Sequence, residues 1–195
     1  MLLGAASRGD LRVSREQSRI RAAVESALHR DQIEIDPRPS ATPDDLLDGL
    51  SKFRPHVVHF SGHGNSSLIQ FEEDEDGVHD GVVVTARAFS NAMQATDYSP
   101  TLVVLNSCSS APHAAKLVEE IVPFAIGMAD SIDDADAISY AARFYASVAN
   151  GESIRSAHSL GKVALELAGL SGAELPTLCW AEDMDPRKTH LVKPI

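Results

Sequence analysis

His63 stands between Gly62 and Gly64, and Cys108 stands in a run of serines, Ser107-Cys108-Ser109-Ser110. An imidazole and a thiol in such small surroundings are the two parts of a nucleophilic pair: the thiolate attacks and the imidazole moves the proton. Each follows an apolar run of strand length, His56-Val57-Val58-His59-Phe60-Ser61 in one case and Thr101-Leu102-Val103-Val104-Leu105-Asn106 in the other. Adjacent strands of an open parallel sheet share a direction, and their carboxyl ends open into one crevice where ligands bind. If these two strands are neighbours, His63 and Cys108 face each other across that crevice. Cys108 would then be the nucleophile and His63 its base, and the start of the helix predicted after Cys108 would favour the thiolate. The amides of Gly64 and Cys108 would form the oxyanion hole. Each residue alone has a plainer reading, since a cysteine after an apolar strand is often a small core residue and a histidine at a strand end is often structural. The matched contexts, and the two glycines above all, point to chemistry.

The rest of the chain reads as scaffold for that pair. Met1 to Ala6 predicts a short buried strand. Ser14 and Gln17 have capping-box spacing at the head of a helix whose apolar stripe is Ile20, Val24 and Leu28. Ile33 to Ile35 predicts a second strand, and Thr42-Pro43 opens a helix carrying Leu46, Leu47 and Leu50. Strand, helix, strand, helix, strand is the signature of a parallel sheet with crossover helices. After Gly64, Leu68 to Phe71 and Val82 to Val84 predict a hairpin around the acidic segment Glu72 to Gly77. A helix from Thr85 to Thr96 points Ala88, Phe89, Ala92 and Met93 inward. A helix from about Pro112, a strand over Pro123 to Met128, a long helix capped by Ser131 and Asp134, and a helix from Ser153 to Ala168 follow. Thr177 to Trp180 and Leu191-Val192 are candidate edge strands. The expected fold is α/β, in three layers: a mostly parallel central sheet of about six strands flanked by helices, with a small hairpin after His63. Residues 1–195 are expected to form one domain.

The chain has 195 residues, 28 of them acidic and 17 basic, for a formal net charge of −11. That balance argues against nucleic acid or an anionic membrane as the main partner, because phosphate recognition needs clustered Lys and Arg. Two cysteines, Cys108 and Cys179, are too few for a disulfide framework and lack metal-site spacing. With neither an apolar leader nor a membrane-length apolar run, a cytoplasmic location is expected. No metal or organic cofactor is expected. The acids Glu72 to Asp76 read as a solvated loop rather than a calcium site, because their spacing matches no defined loop. Asp130, Asp133, Asp134 and Asp136 suit the first turn of a helix, although Asp130 could instead reach a substrate. His59, which alternates with His63 along the strand, is expected to pack or hydrogen-bond, with a role in orienting His63 as the lesser alternative.

The stretches Phe60-Ser61-Gly62-His63-Gly64 and Val103-Val104-Leu105-Asn106-Ser107-Cys108-Ser109-Ser110 resemble the His-Gly and Cys-loop motifs of the caspase-like cysteine peptidases, most closely the CHAT group. Leu2-Leu3-Gly4-Ala5, Ala125-Ile126-Gly127-Met128 and the segment from Phe144-Tyr145 to Gly151-Glu152-Ser153 are similar to the same pattern, so the resemblance spans nearly the whole chain. It implies a caspase-type fold with His63 as base, Cys108 as nucleophile and oxyanion donors at Gly64 and Cys108. In caspases and metacaspases the residue two before the nucleophile lines the pocket for the side chain before the scissile bond. Here that residue is Asn106, which puts Asn106 and Ser107, with Asp130, on the substrate side. Metacaspases have an acid at this place, and Asn106 is neutral. The resemblance further implies a cysteine endopeptidase that cleaves a protein or peptide substrate, as an effector in bacterial defence or signalling switched on by a sensor or regulatory partner. A catalytically silent interaction module of the same fold and a thiol hydrolase acting on small molecules are the alternatives.

Overall fold

The computed structural model describes residues 1–6, 13–73 and 81–193. Its strands are β1 (Leu2–Ala6), β2 (Asp36–Arg38), β3 (Val57–Gly62), β4 (Leu68–Phe71), β5 (Val82–Thr85), β6 (Leu102–Asn106), β7 (Phe124–Met128) and β8 (Pro176–Trp180). The helices are α1 (Val13–Glu25), α2 (Pro43–Asp48), α3 (Ala86–Gln94), α4 (Ala111–Glu120), α5 (Asp134–Ala149) and α6 (Ile154–Leu167). Six strands form one sheet in the order β2-β1-β3-β6-β7-β8. The first five run parallel, and β8 pairs antiparallel with β7. The expected α/β architecture, with a mostly parallel sheet flanked by helices, is therefore present, and β4 and β5 form the expected separate hairpin.

Strands buried on both faces read as continuous apolar runs. Every residue of β3, β6 and β7 is buried. Their alternating side chains feed two cores. Val57, Leu102, Val104, Phe124 and Ile126 pack with Ile20 and Val24 of α1, Tyr140 and Phe144 of α5, and Leu165 of α6. Val58, Phe60, Val103, Leu105 and Ala125 pack on the other face with Leu46 of α2, Phe89 and Met93 of α3, and Leu117 of α4. The hairpin is pinned to this second core by rings. Phe71 lies 4.8 Å from Phe60 and 6.4 Å from Phe89, centroid to centroid. Each such pair adds about 0.5–1.5 kcal/mol beyond its buried area, and together they fix the chain on either side of His63.

Several local expectations shift. Helix α1 ends at Glu25, so Leu28 lies past it, 77% exposed, while Glu16 occupies the stripe position one turn before Ile20. Ser14 lies inside that helix. The second strand sits at Asp36–Arg38, where Asp36 N donates to Met1 O at 2.9 Å. Proline at position 37 is tolerated there because β2 is an edge strand. Helix α5 has Asp133 rather than Ser131 or Asp134 at its N-cap. Beside Leu191-Val192 there is one isolated bridge, Ser153 to His190, in place of a strand. The acids Asp74 to Asp76 lie outside the described residues.

Candidate active site

Strands β3 and β6 are direct neighbours, in a register that pairs Phe60 with Leu105 and Ser61 with Asn106. His63 and Cys108 each follow the last of these pairs by two residues, at the same edge of the sheet. The two turns touch. A Cβ on Gly64 would stand 3.0 Å from Ser107 Oγ and 3.3 Å from Ser107 Cβ. Gly64 also faces Ile69 across an antiparallel bridge. The flanking ladder bonds are Gln70 N to His63 O and Asn65 N to Leu68 O, both 3.0 Å. Gly64 is therefore the residue whose own amide turns away from the hairpin. His63 and Cys108 are both half-buried, so neither is sealed inside the core.

The Cys108 turn is held by its serines. Ser110 is fully buried, and its hydroxyl reaches Leu105 O at 2.8 Å and Ser107 O at 2.7 Å while accepting Met128 N at 2.9 Å. That one side chain closes the turn and ties it to β7. Ser109 has φ of 53°, the left-handed region that costs a non-glycine residue about 1–2 kcal/mol, and its N–H donates to Asp130 O at 3.1 Å. Helix α4 starts immediately afterwards. Gly127 makes room for that start, because a Cβ there would stand 2.7 Å from Ser110 C, Ser110 O and Ala111 N.

The residues expected on the substrate side divide. Asp130 is exposed, and its Oδ1 accepts from Ser131 N at 2.7 Å. Ser107 is buried against Gly64, and its hydroxyl is without a partner among the described residues. Asn106 is buried too. Its Nδ2 donates to Glu16 Oε1 and, at 3.3 Å, to Ala137 O, while its Oδ1 is unpartnered among the described residues. Glu16, Ser61, Asn106 and Asp134 line a small cavity beside it of about 30 Å³, space for about two waters. A roomier cavity of about 340 Å³ borders Met1, Glu34 and His56 at the opposite, amino end of the strands, away from His63 and Cys108.

Beneath the two turns lies a polar network that the motifs alone do not announce. His59 Nε2 stands 3.1 Å from Glu16 Oε1 and 2.7 Å from Ser61 Oγ, and His59 Nδ1 stands 3.0 Å from Tyr145 OH. Only 4% of Glu16 and 2% of His59 are exposed. Burial alone would raise the Glu16 carboxyl, but hydrogen bonds from His59, Ser61 and Asn106 hold it below the usual range. It is ionised at neutral pH. Burial, reinforced by that charge, pushes the Tyr145 phenol well above its ordinary value, so it keeps its proton to donate. The signal in sequence was a carboxylate on an otherwise apolar helical stripe, Glu16-Ile20-Val24 at i, i+4 and i+8.

The family model of the CHAT domain matches residues 6–168. A curated relative from Gillisia limnaea, named "Probable protease", is 25% identical over 140 residues. The match covers 70% of this chain and 24% of the relative, so the chain spans about a quarter of that protein's length. Among the described residues, no helix is long and apolar enough to cross a membrane.

Proposed function

The chain belongs to the CHAT domain family, and from that premise we propose that it is a cysteine endopeptidase with Cys108 as nucleophile and His63 as base. The observation that carries the reading is the contact of the two turns, Gly64 against Ser107, at the carboxyl ends of neighbouring parallel strands. The relative named as a probable protease supports the same class of reaction.

In this mechanism His63 takes the Cys108 proton and the sulfur adds to the peptide carbonyl carbon. The carbonyl oxygen becomes an oxyanion held by the amides of Gly64 and Cys108. Collapse breaks the C–N bond, and the leaving amine takes the proton from His63, which leaves a thioester on Cys108. Water then adds to the thioester as His63 takes its proton. The acid departs, and the sulfur regains its proton from His63. Removing one oxyanion donor in such a reaction costs about 100- to 1000-fold in turnover. On the substrate side, Asp130 offers a carboxylate beside the Cys108 turn, and Asn106 and Ser107 form the wall behind it. The resemblance alone suggests the wider role of an effector in bacterial defence or signalling, switched on by a sensor partner.

The test is proteome-wide cleavage and a fluorogenic peptide panel with wild type, Cys108→Ala and His63→Ala. Cleavage lost in both variants is expected. Cleavage equal to wild type in Cys108→Ala overturns the reading, and activity on small esters without any peptide cleavage would favour a small-molecule thiol hydrolase.

A further inference from the structure

Strands β3 and β6 must end in a fixed relation if the groups beyond them are to meet within hydrogen-bond reach. Their ladder stops at the Ser61–Asn106 pair. Alongside its last pairs, one side chain grips both strands. Glu16 Oε1 accepts from Asn106 Nδ2, two residues before Cys108, and lies 3.1 Å from His59 Nε2, four residues before His63. An imidazole with its proton on Nε2 donates to Glu16 and accepts at Nδ1 from the Tyr145 hydroxyl of α5. The carboxylate on α1 thus joins β3 and β6, and through His59 reaches Tyr145 of α5, near the end of the sheet where the two turns emerge.

We propose that Glu16 is a positioning residue for His63 and Cys108, its single carboxylate holding together the two strand ends from which they project. This rests on the reading of His63 and Cys108 as a working pair, but it concerns where the thiol is held and not what it cleaves. Position 16 sits on the stripe of Ile20 and Val24, where a leucine would suit the core. A leucine there would avoid the cost of burying a charge but would strand His59 and Asn106, so the carboxylate is matched to these two groups, one on each strand, rather than to the apolar stripe. Asn106 adds the second observation. Its Oδ1 is buried and unpartnered among the described residues, so its amide holds to the fold through Nδ2. Without Glu16, that grip is reduced to the longer bond to Ala137 O. The end of β6 is then held only by its ladder and the Ser110 anchor, and a shift of a fraction of an ångström there is enough to disturb a reacting pair.

The experiment measures alkylation of Cys108 by iodoacetamide across pH, with Cys179 of the same chain as internal reference, in wild type, Glu16→Gln and Glu16→Leu. No peptide substrate is needed, so it fails or succeeds apart from the peptidase reading. Glu16→Leu strands His59 and Asn106 and is expected to melt below wild type, so labelling is read well below every midpoint, where thermal melts show each variant folded. Cys108 labelling should fall about tenfold or more and its pH profile should move, with Cys179 labelling unchanged. Adding Asn106→Ala to Glu16→Leu should bring little further loss, because the two act through one bond. Wild-type rate and pH profile in folded Glu16→Leu overturn the proposal. So do fully multiplicative losses in the double variant, or a wild-type Cys108 that reacts no faster than Cys179.

Discussion

Gly64 lies so close to Ser107 that the Cβ it lacks would stand 3.0 Å from Ser107 Oγ and 3.1 Å from Leu68 O. The turn carrying His63 and the turn carrying Cys108 are therefore in van der Waals contact through their neighbours. Gly64→Ala should force the turns apart, with a melting midpoint lower by several degrees, in line with about 1–3 kcal/mol for overpacking. Activity and Cys108 labelling should fall at least tenfold. Gly64→Ala with Ser107→Gly removes the clash on one side and leaves Leu68 O, so it should recover part of both losses. A double variant no better than the single one would show that the contact does not set the spacing.

Ser110 makes a second prediction. Its hydroxyl closes the Cys108 turn onto Leu105 O and Ser107 O and is the partner of the Met128 N–H. Ser110→Ala leaves that buried N–H unmet, which costs about 1–3 kcal/mol. Because the lost bonds lie in the turn itself, Cys108 labelling should drop along with stability. Ser110→Cys, which keeps a weak donor and acceptor, should fall between the two. Wild-type stability in Ser110→Ala would remove this account of the turn.

Gly127→Ala probes the same turn from β7. The added methyl meets backbone atoms of Ser110 and Ala111 at 2.7 Å, and backbone cannot swing aside as a side chain can. The start of α4 must move. Loss of about 1–3 kcal/mol by denaturant midpoint is expected, with reduced Cys108 labelling and an unchanged far-ultraviolet spectrum. Full stability in this variant would mean that α4 does not rest on β7 as described.

The strands that carry His63 and Cys108 were legible because each is a buried run of apolar residues that breaks into small polar ones, and such runs have few alternative placements. The Thr42-Pro43 start was legible for a local reason: Thr42 accepts Asp45 N at 3.1 Å, and Asp45 Oδ2 accepts Thr42 N at 3.1 Å. The network under the site was not. Glu16, His59, Ser61, Asn106 and Tyr145 come from four elements, and only tertiary packing tells a buried carboxylate from one at the edge of a stripe. Leu28 misled for the converse reason: periodicity continues past Glu25, but the helix does not. Edge elements were least legible. The pairing of β2 at Asp36–Arg38 rather than Ile33 to Ile35 is chosen by the Asp36 N to Met1 O bond, which no local pattern encodes.

Acid should weaken the fold in two stages, and the sign follows from three buried groups. Burial pushes the imidazoles of His113 on α4 and His158 on α6 down from 6.5 to about 4, helped by Lys116 beside the first and by Lys162 and Arg155 beside the second. Between pH 6.5 and 4 the unfolded chain takes up these protons and the folded chain does not, so stability falls as pH falls. By pH 5 each histidine withholds about 2 kcal/mol, from about 1.4 kcal/mol per pH unit over the 1.5 units crossed. The Glu16 carboxyl is depressed in the folded state. Its contribution is whole above the ordinary carboxylate range and is lost only as pH drops through its lower folded value, which forms the second stage. Denaturant midpoints should therefore already slope downward between pH 7 and 5.5, above the ordinary carboxylate range. His113 packs edge-on against Phe89 with a centroid distance of 5.6 Å. His113→Leu keeps that position apolar and should remove about half of the first-stage slope while leaving stability at pH 7.5 nearly unchanged. A midpoint flat from pH 7 to 5 in the wild type, or a slope unaltered by His113→Leu, would show that these imidazoles are not held neutral by burial.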